Sequence, residues 1–421
     1  MIKILVDCRC LNYPFLTGVN TYTIRLLHCL STIKSQNSKF EITALGLKDS
    51  RINELAGDFP FLDSLFETHI SLAQYLGHKD CKSTKFNWIS NWIGKYLELS
   101  LIIQNWLGAS LDFPSIVKYD YIILPQPRLL HFHPESKVIT IFHDIFAILD
   151  KQKNFPKSLI FNYYTSQSLV SRSHKVITGS ISTSQDINKT FFGQHNFDNP
   201  KIQLIYPALP SLLELQTNLQ NSSKLNMPNN LKSQVKSQVK TERIIQPYVL
   251  AISGIEPRKN WINLILAHNY LQMNYDWKST LVLSGSIVDP KYYKLLLNLI
   301  AVKQIQNVVW QISPDENQKS ELLKSCEFVV YPSYYEGFGF PILEAFEHNK
   351  IVVTSKISSM PEIGKDACVY ANPFSYQSIA NCVYLLHIDP KFKLELESNI
   401  AKVKSQYDWS QMTNNLKKLL K

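Results

Sequence analysis

The sequence predicts an α/β protein of two halves, each a parallel sheet covered by helices. Three observations carry that expectation. Short apolar runs alternate with amphipathic ones along most of the 421 residues, the pattern of repeated β-α-β units. The length exceeds one ordinary core, so two domains are expected. A polar stretch between Leu209 and Gln246, rich in Asn, Gln, Ser and Lys, divides the chain.

In chain order, strands are expected at Ile2–Val6, Glu41–Leu45, Tyr121–Leu124, Val138–Phe142, Lys175–Thr178 and Ile202–Tyr206 in the first half. In the second half they are expected at Tyr248–Ser253, Thr280–Leu283, Val308–Gln311, Phe328–Tyr331 and Ile351–Thr354. Each is a brief apolar run suited to a buried strand. Helical spacing falls between them at Thr21–Ile33, Leu159–Ser171, Asn260–Met273, Lys291–Lys303 and Glu316–Ser325. The dividing segment, 210–246, carries Lys232-Ser-Gln-Val-Lys236-Ser-Gln-Val-Lys240, with lysines that would repel on one helix face. It reads as a solvated linker or insertion. The expected domains are therefore 1–209 and 247–400, with 401–421 as a C-terminal helix that has the option of crossing back to the first half.

Hydrophobic content of 45% and charged content of 19% describe a globular chain. The seven cysteines show no zinc spacing, and Cys8-x-Cys10 does not suit an ordinary disulfide. A reducing cytoplasm is the expected setting, with the inner face of a membrane as the open alternative. The start, Met1-Ile-Lys-Ile-Leu-Val-Asp7, is too short an apolar stretch for a signal peptide. No stretch is long enough for a transmembrane helix. The net charge of +10 admits nucleic acid, an anionic membrane surface or a phosphorylated ligand as partner. No nucleic-acid-binding module is present, so nucleic acid is set aside. The aromatic run Phe86–Leu107, with Trp88, Trp92 and nearby Trp106, reads either as a subdomain helix or as one lying on a bilayer surface.

The densest chemical signal is Glu336-Gly-Phe-Gly-Phe-Pro-Ile-Leu-Glu344. It follows the strand-like Phe328–Tyr331, and Pro341 to His348 reads as a helix opening on proline. Gly337 and Gly339, on either side of Phe338, permit close backbone approach. A helix N-terminus then points free N–H groups at whatever lies before it. Glu344 is placed in the first turn, so two carboxylates, Glu336 and Glu344, would flank one polar space and accept hydrogen bonds from hydroxyls. A capped helix after a tight loop accounts for the same residues without any ligand.

Four further motifs accompany it. Thr17-Gly18-Val19 follows the first strand, where Gly18 would let backbone approach a phosphate. Ser253-Gly254-Ile-Glu-Pro-Arg258-Lys259-Asn260 follows the first strand of the second half. Its two cations at a helix start oppose the helix dipole, a conflict that a bound diphosphate would resolve; an ordinary exposed basic pair is the plainer account. His143-Asp144 stands at a strand's carboxyl end, where α/β domains bind ligands, and a core histidine remains equally open. Gly285 is another strand-end glycine. With no Asp-x-Asp and no cluster of metal-ligand residues, catalysis without a bound metal is expected.

Taken in order, these motifs resemble the retaining glycosyltransferases of family 4, glycosyl transferases of group 1, which have the GT-B fold of two Rossmann-like domains with parallel sheets facing a central cleft. Asp7-x-Arg9, Thr17-Gly18-Val19-x-x-Tyr22, His143-Asp144, Val176-Ile-Thr-Gly-Ser180, Gly254 with Arg258-Lys259-Asn260, Glu336 through Glu344, and Ser358-Ser-Met-Pro-Glu362 with Asp366-Ala367 are similar to the family's sequence of motifs. The resemblance implies a GDP- or UDP-linked sugar donor as substrate, with no further cofactor. It implies that Glu344 holds the ribose hydroxyls and that Glu336 lies near the sugar. Arg258 and Lys259 would neutralise the diphosphate, Gly18 would let the opposing loop close on it, and His143 would contact the donor sugar. Gly254, Gly285, Gly337, Phe338 and Gly339 would line the donor site. It further implies transfer of a hexose, mannose or glucose, to a glycan or lipid-linked acceptor in surface polysaccharide or lipopolysaccharide assembly. A nucleotide-sugar epimerase of the same fold and a non-catalytic nucleotide-sugar binder are the competing classes. Two segments depart from the family pattern: His348-Asn-Lys350 where glycine is usual, and Tyr206-Pro-Ala208, which also lacks one.

Overall fold

A computed structural model describes residues 1–12, 18–47, 49–70, 118–128, 130, 132–150, 156–193, 199–209, 244 and 247–421. The Phe86–Leu107 run and all of the polar segment 210–246 except residue 244 lie outside the described residues. The chain divides into two compact units, Met1–Ala208 with Trp409–Lys421, and Leu209–Asp408.

The N-terminal unit runs β1 (Ile2–Asp7), a 3-10 turn, α1 (Gly18–Gln36), β2 (Phe40–Leu45), α2 (Asp49–Asp58), α3 (Phe61–Leu65), β3 (Thr68–Ile70), β4 (Tyr121–Leu124), β5 (Lys137–Phe142), α4 (Phe146–Leu149), α5 (Pro156–Arg172), β6 (Lys175–Thr178), α6 (Ile181–Ile187) and β7 (Ile202–Leu204). The sheet order is β3-β2-β1-β4-β5-β6-β7, with every pair parallel. Parallel strands are covered on both faces, which is why they read as continuous apolar runs. Leu5, Ile122, Leu124, Phe142 and Val176 are all buried in one core. The order reverses between β1 and β4, where Ile4 pairs with Tyr121.

The C-terminal unit runs β8 (Tyr248–Ile252), a 3-10 turn (Pro257–Lys259), α7 (Trp261–Asn274), β9 (Thr280–Gly285), α8 (Pro290–Val302), β10 (Val308–Ile312), α9 (Glu316–Ser325), β11 (Val329–Tyr331), α10 (Phe340–Glu347), β12 (Val352–Ser355), α11 (Met360–Gly364), β13 (Cys368–Ala371), α12 (Tyr376–Ile388) and α13 (Pro390–Lys404). All its pairs are parallel in the order β10-β9-β8-β11-β12-β13, so the reversal falls between β8 and β11. Local chemistry fixes the helix starts. Asp289 accepts from Lys291 and Tyr292 N–H, Asp315 and Gln318 form a capping box, and Ser375 caps α12.

The segment expected as one helix over 401–421 is two. The helix α13 ends at Lys404, and α14 (Trp409–Leu419) begins after the break at Ser405–Asp408. Its apolar face, Met412 and Leu416, is buried in the N-terminal unit, and the Trp409 ring lies 4.5 Å from that of His28 on α1. The strands β3 and β13 were not among those expected. The helix expected from Pro341 to His348 spans Phe340–Glu347 instead, after Gly339 at φ 111°. At the far end, Asn349 adopts φ 53°. Asparagine tolerates the left-handed conformation better than other residues with side chains, so the missing glycine in His348-Asn-Lys350 costs little. Among the described residues, no helix is long and apolar enough to cross a membrane.

The placement of α14 generates a test. Leu416→Ala should destabilise the N-terminal unit by about 2–4 kcal/mol, as large-to-small core changes do. Hydrogen exchange should quicken in α1 and leave the strands of the C-terminal unit unchanged; equal acceleration in both units would contradict the assignment.

Candidate active site

In the C-terminal unit the loops after β8 and β11 flank the point where strand order reverses, the position at which open α/β sheets bind ligands. The first loop carries Gly254, Arg258 and Lys259; the second carries Glu336 through Gly339. One carboxylate joins them. Glu336 accepts from Arg258 Nη1 at 2.8 Å through Oε2 and from Lys259 Nζ at 2.7 Å through Oε1. Arg258 Nη1 also donates to the Tyr335 carbonyl at 3.0 Å, its Nη2 donates to Glu256 at 2.8 Å, and its own carbonyl accepts from Tyr334 N–H at 2.9 Å.

Glu336 is 6% exposed. Burial alone would raise its carboxyl, but Lys259 and Arg258 outweigh it and hold the group at about 2. Burial lowers the Lys259 ammonium, a shift that Glu336 opposes. Lys259 Nζ also donates to the Tyr331 hydroxyl at 3.0 Å, and burial beside Glu336 pushes that phenol well up. The loop is fixed from behind as well. Ser358 and Ser359 both donate to the Glu336 carbonyl, at 2.6 and 2.9 Å, and Ser359 donates to that of Phe338 at 2.7 Å.

These contacts correct three readings of the sequence. Arg258 and Lys259 do not open the next helix; they end a separate 3-10 turn, and α7 starts at Trp261. Their charge is met by Glu336 and Glu256, so no bound anion is needed to explain the pair. Glu344 is the fifth residue of α10 and no acidic residue occupies its first turn, because the helix begins one residue before the proline. Glu344 pairs with Lys319 of α9 at 2.8 Å, a partner that nothing in the sequence pointed to. The two glutamates thus have separate cations.

The glycines have distinct reasons. A Cβ at Gly285 would lie 1.7 Å from the Ser253 carbonyl oxygen, and one at Gly254 would lie 2.9 Å from Val288. The ends of β8 and β9 can approach this closely only with glycine at Gly285. Gly339 supplies a positive φ at the N-terminus of α10. Phe338 is buried, its ring 5.0 Å from Phe340 and 5.9 Å from Tyr407.

Sequence reading named Asn260 only as part of a motif. It stands at φ 60° and donates to the carbonyls of Pro332 at 2.9 Å and Pro373 at 2.7 Å, tying the loops after β8, β11 and β13 together. Glu256, Ser358 and Ser359 likewise appeared only inside motifs, and Tyr331 and Lys319 received no functional reading. Their partners are distant in the chain, and single polar residues carry no periodic signal.

The N-terminal unit has its own cluster at its reversal point. Gly18 is the first residue of α1, and Thr17 lies outside the described residues. Four residues on, the Tyr22 ring meets His143, just past β5, edge-on at 5.0 Å. His143 Nε2 lies 2.7 Å from the Pro125 carbonyl after β4. A carbonyl only accepts, so Nε2 carries the proton and Nδ1 is an acceptor in the neutral ring. Burial lowers the imidazole, which keeps it neutral. Asp7, at the end of β1, is 4% exposed and holds Arg9 at 2.7 Å.

Residues 233–403 match the family model described as glycosyl transferases group 1. The chain is similar to O-antigen chain mannosyltransferase B of Escherichia coli, 28% identical over 415 residues that cover 98% of this chain and 97% of that protein. It is 24% identical over 221 residues to O-antigen chain mannosyltransferase RfbU of Salmonella typhimurium, covering 52% of each. Among solved structures it resembles Anabaena HepE in complex with UDP and glucose, at 16% identity and a TM-score of 0.60 over 100% of this chain and 99% of that one. It also resembles WaaG, a glycosyltransferase involved in lipopolysaccharide biosynthesis, at 14% identity and a TM-score of 0.56, again over 100% and 99%.

Removing the central carboxylate should be costly. Glu336→Ala leaves the half-buried Lys259 without a carboxylate and Arg258 with Glu256 alone, a change expected to destabilise by about 3 kcal/mol in denaturant unfolding, the low end for breaking a buried ion pair. The acid limb gives a second readout. Because the folded carboxyl is held low, its stabilisation is complete above the ordinary range near roughly 4.3 and is lost as the pH falls toward about 2. Glu336→Gln should flatten that limb; an unchanged acid profile would contradict the assigned ion pairs.

Proposed function

We propose that the chain is a group 1 glycosyltransferase of GT-B fold that transfers mannose, with retention of configuration, from a GDP- or UDP-linked donor to a glycan or lipid-linked acceptor in O-antigen assembly. The observation that carries the reading is the buried Glu336 carboxylate holding Arg258 and Lys259 at the reversal point of the C-terminal sheet. Support for the sugar comes from the similarity, over nearly the full length of both chains, to O-antigen chain mannosyltransferase B.

The chemistry assigns each group a task. Breaking the donor's glycosidic bond places positive charge on the sugar and negative charge on the departing diphosphate. Arg258 and Lys259 stabilise that negative charge as fixed cations and fill the place of a divalent metal. Glu336, held at about 2, stays ionised and is a poor proton acceptor near neutrality. Its role is to hold the cations in register. Glu256, on the other side of Arg258, is the partner that the diphosphate exchanges for. Glu344 accepts from the ribose hydroxyls, and neutral His143 accepts from a hydroxyl of the donor sugar through Nδ1. The departing phosphate oxygen takes the acceptor's proton on the same face, which gives retention. The acceptor, which ends in a lipid or a growing glycan, brings the protein to an anionic membrane surface.

Nucleoside diphosphate release from GDP-mannose, GDP-glucose, UDP-mannose and UDP-glucose, with and without candidate acceptors, tests the reading. Release only with a mannosyl donor and an acceptor is the expected result, unchanged by EDTA. Interconversion of nucleotide sugars without release would make the protein an epimerase. Arg258→Ala should lower turnover roughly 100-fold or more, the scale of losing one transition-state charge contact; full activity would remove the diphosphate role. Glu344→Ala should weaken donor binding by about 1.5–3 kcal/mol, the worth of a hydrogen bond to a charged group, as read by calorimetry.

A further inference from the structure

Phe374, in the loop between β13 and α12, is 71% exposed. An isolated exposed apolar residue needs no explanation, but this ring is supported from behind. Its face stacks on Tyr334 with centroids 5.2 Å apart and planes 25° from parallel. The Tyr334 hydroxyl accepts from Asn263 Nδ2 at 2.9 Å, and the same nitrogen donates to the Pro373 carbonyl at 2.9 Å. Asn260 donates to that carbonyl too, at 2.7 Å, and Phe374 N–H donates to Asn372 Oδ1 at 3.1 Å. The exposed ring is therefore pinned by Asn260, at the end of the loop that carries Arg258 and Lys259, and by Asn263 in the first turn of α7. Tyr334 itself sits two residues before Glu336 on the other site loop.

The surroundings select the ligand. Neither Asn372-Pro-Phe-Ser-Tyr-Gln-Ser378 nor Pro332-Ser-Tyr-Tyr335 contains a charged residue. What lies beside the ring is amide, hydroxyl and further aromatic surface, with Tyr376 continuing to Tyr270 at 6.0 Å. A flat aromatic face with neutral polar neighbours complements a pyranose, whose C–H face is apolar and faintly positive against the negative face of a ring. The two segments themselves offer no counter-charge to a charged lipid headgroup or an acidic peptide.

We propose that Phe374, backed by Tyr334, is a stacking platform for a neutral sugar ring of a glycan chain, outside the donor site. The assignment deepens the transferase reading, on which it rests for the idea that a glycan approaches this edge. A polymer bound there is held at the carboxyl edge of the C-terminal sheet, so the platform raises affinity for long glycans over short ones.

Affinity electrophoresis through gels containing mannan, with dextran gels as comparison, reads the platform without any turnover. The native protein should be retarded by mannan. Phe374→Ala should lose most of that retardation, several-fold in apparent affinity, and Phe374→Trp should keep it. Nucleoside diphosphate affinity should be the same in all three, because Phe374 holds none of the donor contacts. No retardation of the native protein by either polysaccharide, or equal retardation of native and Phe374→Ala proteins, overturns the proposal. So does a change in mass from dimer to monomer in Phe374→Ala by light scattering, which would assign the ring to a second copy of the chain. Retardation that depends on Phe374 in a protein that releases no nucleotide from any donor would leave the platform standing and remove the transferase reading. Release with no such retardation would do the opposite.

Discussion

One buried carboxylate with a cation on each oxygen organises the C-terminal unit's functional edge. Glu336 is drawn out of water, which would be prohibitive for an isolated charge, and is kept ionised by Arg258 and Lys259. The consequence is geometric. The loop after β8 and the loop after β11 are neighbours across the strand reversal, and the three charges fix how far apart they stand. Backbone bonds from Tyr334 to Arg258, and from two serines to the Glu336 carbonyl, remove the remaining freedom. Charges so held need no reorganisation when a ligand's charge develops beside them, which is the condition under which fixed cations aid catalysis.

The same edge shows why glycines and asparagines punctuate it. At Gly285 the backbone of one strand end passes so close to another that no side chain fits. At Asn260 a left-handed turn is combined with a side-chain donor that reaches two carbonyls. At the opposite edge of the sheet, between α10 and β12, Asn349 takes the left-handed conformation that a glycine otherwise supplies. Each of these residues meets a demand of the backbone.

Sequence alone conveyed the alternating strands and helices because buried parallel strands are continuous apolar runs, and the runs at Tyr248–Ile252 and Thr280–Leu283 are of that kind. It also singled out Arg258, Lys259, Glu336 and Glu344, because charged residues beside glycine loops stand out. It did not convey who pairs with whom. An arginine and a lysine in sequence look like an empty anion site, whereas in the folded chain carboxylates from positions 256 and 336 already answer them. The pairing of Lys319 with Glu344 was equally hidden, since it depends on two helices following different strands. Helix boundaries suffered for a local reason: proline marks a helix start only to within a residue, which moved Glu344 out of the first turn.

The position of α14 has a consequence for how the protein comes into being. Residues 409–421 complete the N-terminal unit, yet they follow the whole C-terminal unit in the chain. During synthesis, domains tend to fold as they emerge. Here the first sheet must wait, its α1 flank bare, while some two hundred intervening residues are translated and fold. The wait adds a window in which that apolar flank is open to other partners, and it makes the second unit's synthesis a precondition for the first unit's completion.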